Sequence, residues 1–145
     1  MTGSRAKIGR VDEYTIESGD QCLAFRCTKR DAQGDAEAIE ISFRDGGLNA
    51  RVVADAGYVG FEDLAEFFSE LGYSWQGWAG VIIYESLEHN VVLSAHHDGQ
   101  VHLAVDLVPH DLRWHTHGEL TIDPGDQLTA IVAGVSAVVG SRLNA

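Results

Sequence analysis

The sequence is poor in the features that would tie it to a membrane, an oxidising compartment or a nucleic acid. It contains no run approaching the eighteen or so apolar residues of a membrane-spanning helix. Arg5, Lys7 and Arg10 are not followed by the apolar stretch of a signal peptide, so a cytoplasmic location is expected. Only two cysteines, Cys22 and Cys27, are present, too few for a disulfide framework. Their five-residue spacing within a strand-like segment puts them on opposite faces, so each is expected to remain a thiol. Two prolines among 145 residues, with 45% hydrophobic residues, exclude a disordered or fibrous chain. Positive charge is scarce as well. Ten Lys and Arg against 22 Asp and Glu give a net charge of -12, which repels a phosphate backbone and argues against nucleic acid as a partner. Gly-x-Ser-x-Gly is absent, and Gly46-Gly47 is not followed by the Gly-Lys-Ser/Thr of a phosphate loop. No catalytic motif and no cofactor are therefore expected.

What is present is alternation. Tyr14 and Ile16, then Leu23, Phe25 and Cys27, then Ile39, Ile41 and Phe43, then Leu48, Ala50, Val52 and Ala54 place apolar side chains at every second position, as half-buried antiparallel strands do. Asp45-Gly46-Gly47 predicts a hairpin turn, because glycine accepts the positive φ such turns need. The period then changes. Phe61, Leu64, Phe68 and Leu71 fall at helical spacing, with Glu62, Glu66 and Glu70 on another face and Gly72 placed to end the helix. A connector with Tyr73, Trp75 and Trp78 leads to further strands at 81–87, 91–97, 101–107 and 112–122. Asp123 and Pro124 open a second helix whose stripe is Leu128, Ile131, Val132 and Val135, ending near Gly140. Residues 1–10 have no period and read as a flexible lead-in to one domain over 11–145.

The fold class expected from this order is α+β, an antiparallel, twisted sheet of about seven or eight strands with two helices packed on it. Strands followed by a helix occur twice, which reads as a degenerate duplication.

Two constellations could carry function. All seven histidines lie between His89 and His117. If Leu93, Ala95, Val101 and Leu103 share one core face, His97 pairs with Val101 and His96 lies opposite His102. Drawing Leu112 and Trp114 onto the same core pairs Leu107 with Leu112, which sets His102 beside His117. A surface row of His96, His102 and His117 could then hold a transition metal, although no carboxylate is forced into it and structural filling is the commoner role of such residues. The second constellation is charge. No Lys or Arg occurs from Val52 to Asp111, whereas ten Asp and Glu do. Such a run usually just keeps a protein soluble, yet a single-sign field also steers a basic partner. Glu62, Glu66 and Glu70 lie next to Trp75 and Trp78, a residue type that anchors interfaces and at least as often fills the core between helix and sheet.

The segments Trp75-Gln76-Gly77-Trp78-Ala79-Gly80, Tyr84-Glu85-Ser86-Leu87 and His97-Asp98-Gly99-Gln100-Val101-His102-Leu103 resemble the signature of an uncharacterised actinobacterial family of unknown function. The resemblance covers roughly Phe61 to Gly140 and departs at Val81, Ile82 and Ile83, which are apolar where the family pattern carries charge. The element order is also similar, more loosely, to small acidic immunity proteins that neutralise polymorphic toxins, an architectural likeness. It implies a cytoplasmic binding protein that engages a basic protein through Glu62, Glu66, Glu70, Trp75 and Trp78. The alternatives are a metal-dependent protein built on the histidine row, and a homo-oligomer pairing through Val81, Ile82 and Ile83.

Overall fold

The computed structural model describes residues 11–140, and the expected lead-in over 1–10 lies outside them. The elements follow in the order β1 (Glu13–Ser18), β2 (Gln21–Arg30), β3 (Ala36–Asp45), β4 (Leu48–Asp55), α1 (Glu62–Tyr73), β5 (Ile82–Glu85), β6 (Val91–His97), β7 (Val101–Leu107), β8 (Thr116–Ile122) and α2 (Asp126–Val139). Four strands and a helix therefore occur twice in succession. The eight strands and two helices make the expected α+β fold, but the strands divide between two antiparallel sheets of four, β1-β2-β3-β4 and β5-β6-β7-β8, in place of one continuous sheet, because α1 interrupts the chain between β4 and β5.

Alternation places the core. Leu23 and Phe25, Ile39, Ile41 and Phe43, and Ala50, Val52 and Ala54 bury one face of the first sheet. Val91, Leu93 and Ala95, the odd positions of β7, and Leu120 with Ile122 bury one face of the second. A single apolar cluster runs through both sheets and both helices. The hairpins form where glycine permits: Asp45 pairs with Leu48 across Gly46-Gly47, and Gly46 has φ 58°. On α1, Phe61, Leu64, Phe68 and Leu71 are all buried, together with Ala65 and Phe67. α2 ends on Gly140 at φ 76°, a left-handed stop. Its start differs from expectation. The first helical residue is Asp126, while the Asp123 carboxylate accepts the Gly125 N–H in a turn that precedes the helix.

Contacts between the halves are tight. A Cβ at Gly118 of β8 would lie 2.3 Å from Cε2 of the buried Phe43 ring, so the first sheet seats its phenylalanine on a strand with no side chain. The helices pack on each other, and each reaches the sheet of the other half: α1 meets β5, and α2 meets β1 and β2. Cys22 and Cys27 are free thiols; Cys27 packs against the core and its Sγ donates to the Lys29 carbonyl at 3.3 Å. Among the described residues no helix is long and apolar enough to cross a membrane.

Candidate functional site

The carboxylate face of α1 stands outside the core. Glu66 and Glu70 are exposed and Glu62 is half-buried, one helical turn apart, because the opposite face carries the apolar stripe. Among the described residues none of the three forms an ion pair. Of the cations, Arg26, Lys29 and Arg30 are taken up by Glu40, Glu37 and Asp12, all in the first half of the chain. The last turn of α1 has no basic residue either, so its negative end adds to the same field.

The connector that follows separates the two tryptophans. Trp75 is 50% exposed, and Tyr73 beside it is 91% exposed. Trp78 turns inward: its ring packs against the core and its Nε1–H donates to the Ala95 carbonyl at 3.2 Å. His97 ties the connector to the β6–β7 hairpin. Its Nδ1 accepts the Gly99 N–H at 3.1 Å, which leaves Nε2–H to donate to the Trp75 carbonyl at 2.8 Å. The His97 ring also meets Trp78 edge-on, with centroids 5.1 Å apart. Trp75 is thus held by its backbone while its indole stays half in solvent.

The histidines do not form the expected three-strand row. His97 pairs with Val101 and His96 with His102, as the pleat requires, and the two imidazoles stack at 4.7 Å with a 19° tilt. Beyond β7 the register differs: Leu107 pairs with Thr116, not with Leu112, so Thr121 lies opposite His102 and His117 lies opposite Asp106. The reason is the 108–115 loop. Pro109 has no N–H for a ladder, Leu112 adopts φ 59° in a turn closed by its N–H on the Pro109 carbonyl, and Leu112 and Trp114 are left exposed. His117 and His115 both meet Asp106 Oδ1, at 2.9 and 3.0 Å.

A carboxylate absent from the expected row joins the remaining pair. Asp98, the first residue of the three-residue turn, accepts from His102 Nε2 at 2.8 Å. That bond, and one from the Gln100 N–H, hold the Asp98 carboxyl below its ordinary value. Side-chain donor atoms of His96, Asp98 and His102 lie within 4.8 Å of one another. The sequence offered a signal for Asp98, an Asp opening the turn between two cross-strand histidines, but the conformation of that turn decided that its carboxylate folds back over the pair.

A cleft of about 480 Å³ opens between the 57–61 loop and the turn after β5. Asp63 and Tyr84 line it, and burial pushes both their ionisations up, Tyr84 further because Asp63 adds negative charge nearby. Their meeting joins α1 to a strand of the other half, a long-range contact that no local pattern in the sequence shows.

No curated protein and no solved structure matches the chain. A family model does, over residues 15–142, nearly the whole of both strand-and-helix units. On that match the chain belongs to DUF6228, a family of unknown function.

Proposed function

We propose that this protein is a non-catalytic binding protein of immunity type, which captures a basic protein on the α1 carboxylate face and the Trp75 end of the connector. The observation that carries the reading is the set Glu62, Glu66 and Glu70, unpaired among the described residues and adjoined by the exposed Tyr73 and half-exposed Trp75. Uncompensated charge of one sign accelerates encounter with an opposite field, and a half-exposed indole supplies the area that slows dissociation. Trp78 supports the site from beneath, through its bond to Ala95 and its contact with His97.

The test is binding to the product of the neighbouring gene, followed by biolayer interferometry over a salt series. Replacing Glu62, Glu66 and Glu70 by lysine should slow association several-fold and flatten its salt dependence, with a stability change of about 1 kcal/mol or less, since Glu66 and Glu70 are exposed and Glu62 loses only its favourable place in the first helical turn. Trp75→Ala should act on dissociation instead. Unaltered association in the triple variant would leave the stripe as a solubility feature and end the proposal.

A second reading is favoured by one observation. β5 is an edge strand of its sheet; Ile83 within it and Val81 just before it are exposed, at 62% and 56%. An apolar edge strand is a template for pairing with a second copy through Val81, Ile82 and Ile83. Light scattering that gives a dimer, converted to a monomer by Ile83→Lys, would support this reading; a monomer at high concentration would refute it.

A further inference from the structure

The tip of the β6–β7 hairpin carries a ligand set independent of the α1 face. His96 and His102 are directly opposed across an antiparallel pair, and their rings lie nearly parallel, so both present nitrogen to the same side of the sheet. Asp98 enters from the turn that joins the two strands, with Gly99 at φ 110° bending the chain tightly enough to bring the carboxylate back over β7. The backbone beneath is fixed, because β7 is paired on both sides, by β6 and by β8.

We propose that His96, Asp98 and His102 form a binding site for a first-row divalent cation, with zinc as the occupant. Two imidazoles and one carboxylate are a borderline donor set that suits zinc better than calcium or magnesium, which prefer oxygen. Zinc bonds of about 2.0–2.2 Å place donors about 3.3 Å apart in a tetrahedron. The donors here lie within 4.8 Å of one another, so side-chain rotation by about an ångström closes the set. The proton now shared between His102 Nε2 and Asp98 must leave Nε2 when the metal binds there. The ring then carries its one N–H on Nδ1, and the Thr121 hydroxyl, 3.5 Å away, is placed to accept a hydrogen bond from it and so to orient the ligand. Three protein ligands leave the fourth position to water or to a side chain of a bound molecule.

The second group with metal-like spacing, Asp55, Glu88 and His110, is weaker. It offers one nitrogen, all three residues are exposed, and His110 Nε2 already lies 3.3 Å from the Val53 carbonyl.

The experiment is calorimetric titration of zinc chloride into protein carrying no histidine tag, with cobalt chloride added in parallel and read by visible absorption. One equivalent should bind, and the cobalt bands should have the intensity of a four-coordinate site. Affinity should fall about ten-fold or more in His102→Ala, in His96→Ala and in Asp98→Asn, and should fall with acidification because the ligands must be deprotonated. Asp98 is an exposed turn residue, so Asp98→Asn tests the site without threatening the fold. His117→Ala and Glu66→Lys should bind zinc as the parent does, which separates this site from the His117–Asp106 pair and from the α1 face. Absence of a saturable one-to-one isotherm, or loss of binding in His117→Ala with retention in Asp98→Asn, would overturn the proposal.

Discussion

The two tryptophans of the connector offer the sharpest check on how the structure divides core from surface. Full truncation of a buried aromatic side chain costs about 3–5 kcal/mol. Trp75 keeps half its surface in water, and its hydrogen bond to His97 is made by its backbone carbonyl, which survives substitution. Trp75→Ala should therefore cost about 1.5 kcal/mol, the share of that energy left to a half-buried ring. Trp78 packs against the core, meets His97 edge-on and donates to Ala95. Trp78→Ala loses all three, about 3 kcal/mol. For a domain of this size 1 kcal/mol moves the melting midpoint by about 2–4 °C, so the two variants should melt about 4 °C and about 9 °C below the parent. Differential scanning calorimetry, with urea titration at 25 °C to confirm the order, measures both. In a partner assay the order should invert: Trp75→Ala should weaken binding by about 2 kcal/mol, chiefly through faster dissociation. A Trp75→Ala melt as low as that of Trp78→Ala would refute the assignment and make Trp75 part of the core.

Two further outcomes follow from packing and burial. Gly118→Ala drives a methyl into the Phe43 ring, which is buried and has nowhere to move, so it should destabilise by about 1–3 kcal/mol despite the gain in backbone rigidity; in a double-mutant cycle the loss should largely disappear in a Phe43→Leu background, and additive losses would refute the contact. Tyr84 is buried with its ionisation raised above the ordinary 10.0, so its contribution is complete below about pH 10 and is lost as pH rises beyond it, by about 1.4 kcal/mol per pH unit while only the unfolded chain ionises there. Tyr84→Phe should flatten that alkaline limb in urea titrations between pH 9 and 11, and an unchanged slope would refute it.

The elements that depend on neighbours in the chain were legible from the sequence, and those that depend on distant contacts were not. Alternation in β6 and β7 sets the His97–Val101 pair, because a slip of one residue would turn either Leu93 and Ala95 or Val101 and Leu103 to solvent. The helical spacing of Phe61, Leu64, Phe68 and Leu71 orients α1 and leaves its carboxylates outside for the same reason. The β7–β8 register has no such short turn to set it. An eight-residue loop can close on several pairings at similar entropic cost, and packing selected the one that seats Gly118 against Phe43 and sends His117 to Asp106.

Within this chain, then, the sequence by itself determined the number and kind of elements, the negative charge without counter-charge from Val52 to Asp111, and the facing pair His96 and His102. Periodicity, turn chemistry and net charge are local or additive properties, readable without coordinates. Only the tertiary structure decided that eight strands divide into two sheets, that Trp78 turns inward while Trp75 stays half-exposed, and that Asp98 rather than His117 completes the histidine pair. Each of those outcomes depends on which distant surfaces bury each other, a choice made by the shared core and not by any segment alone.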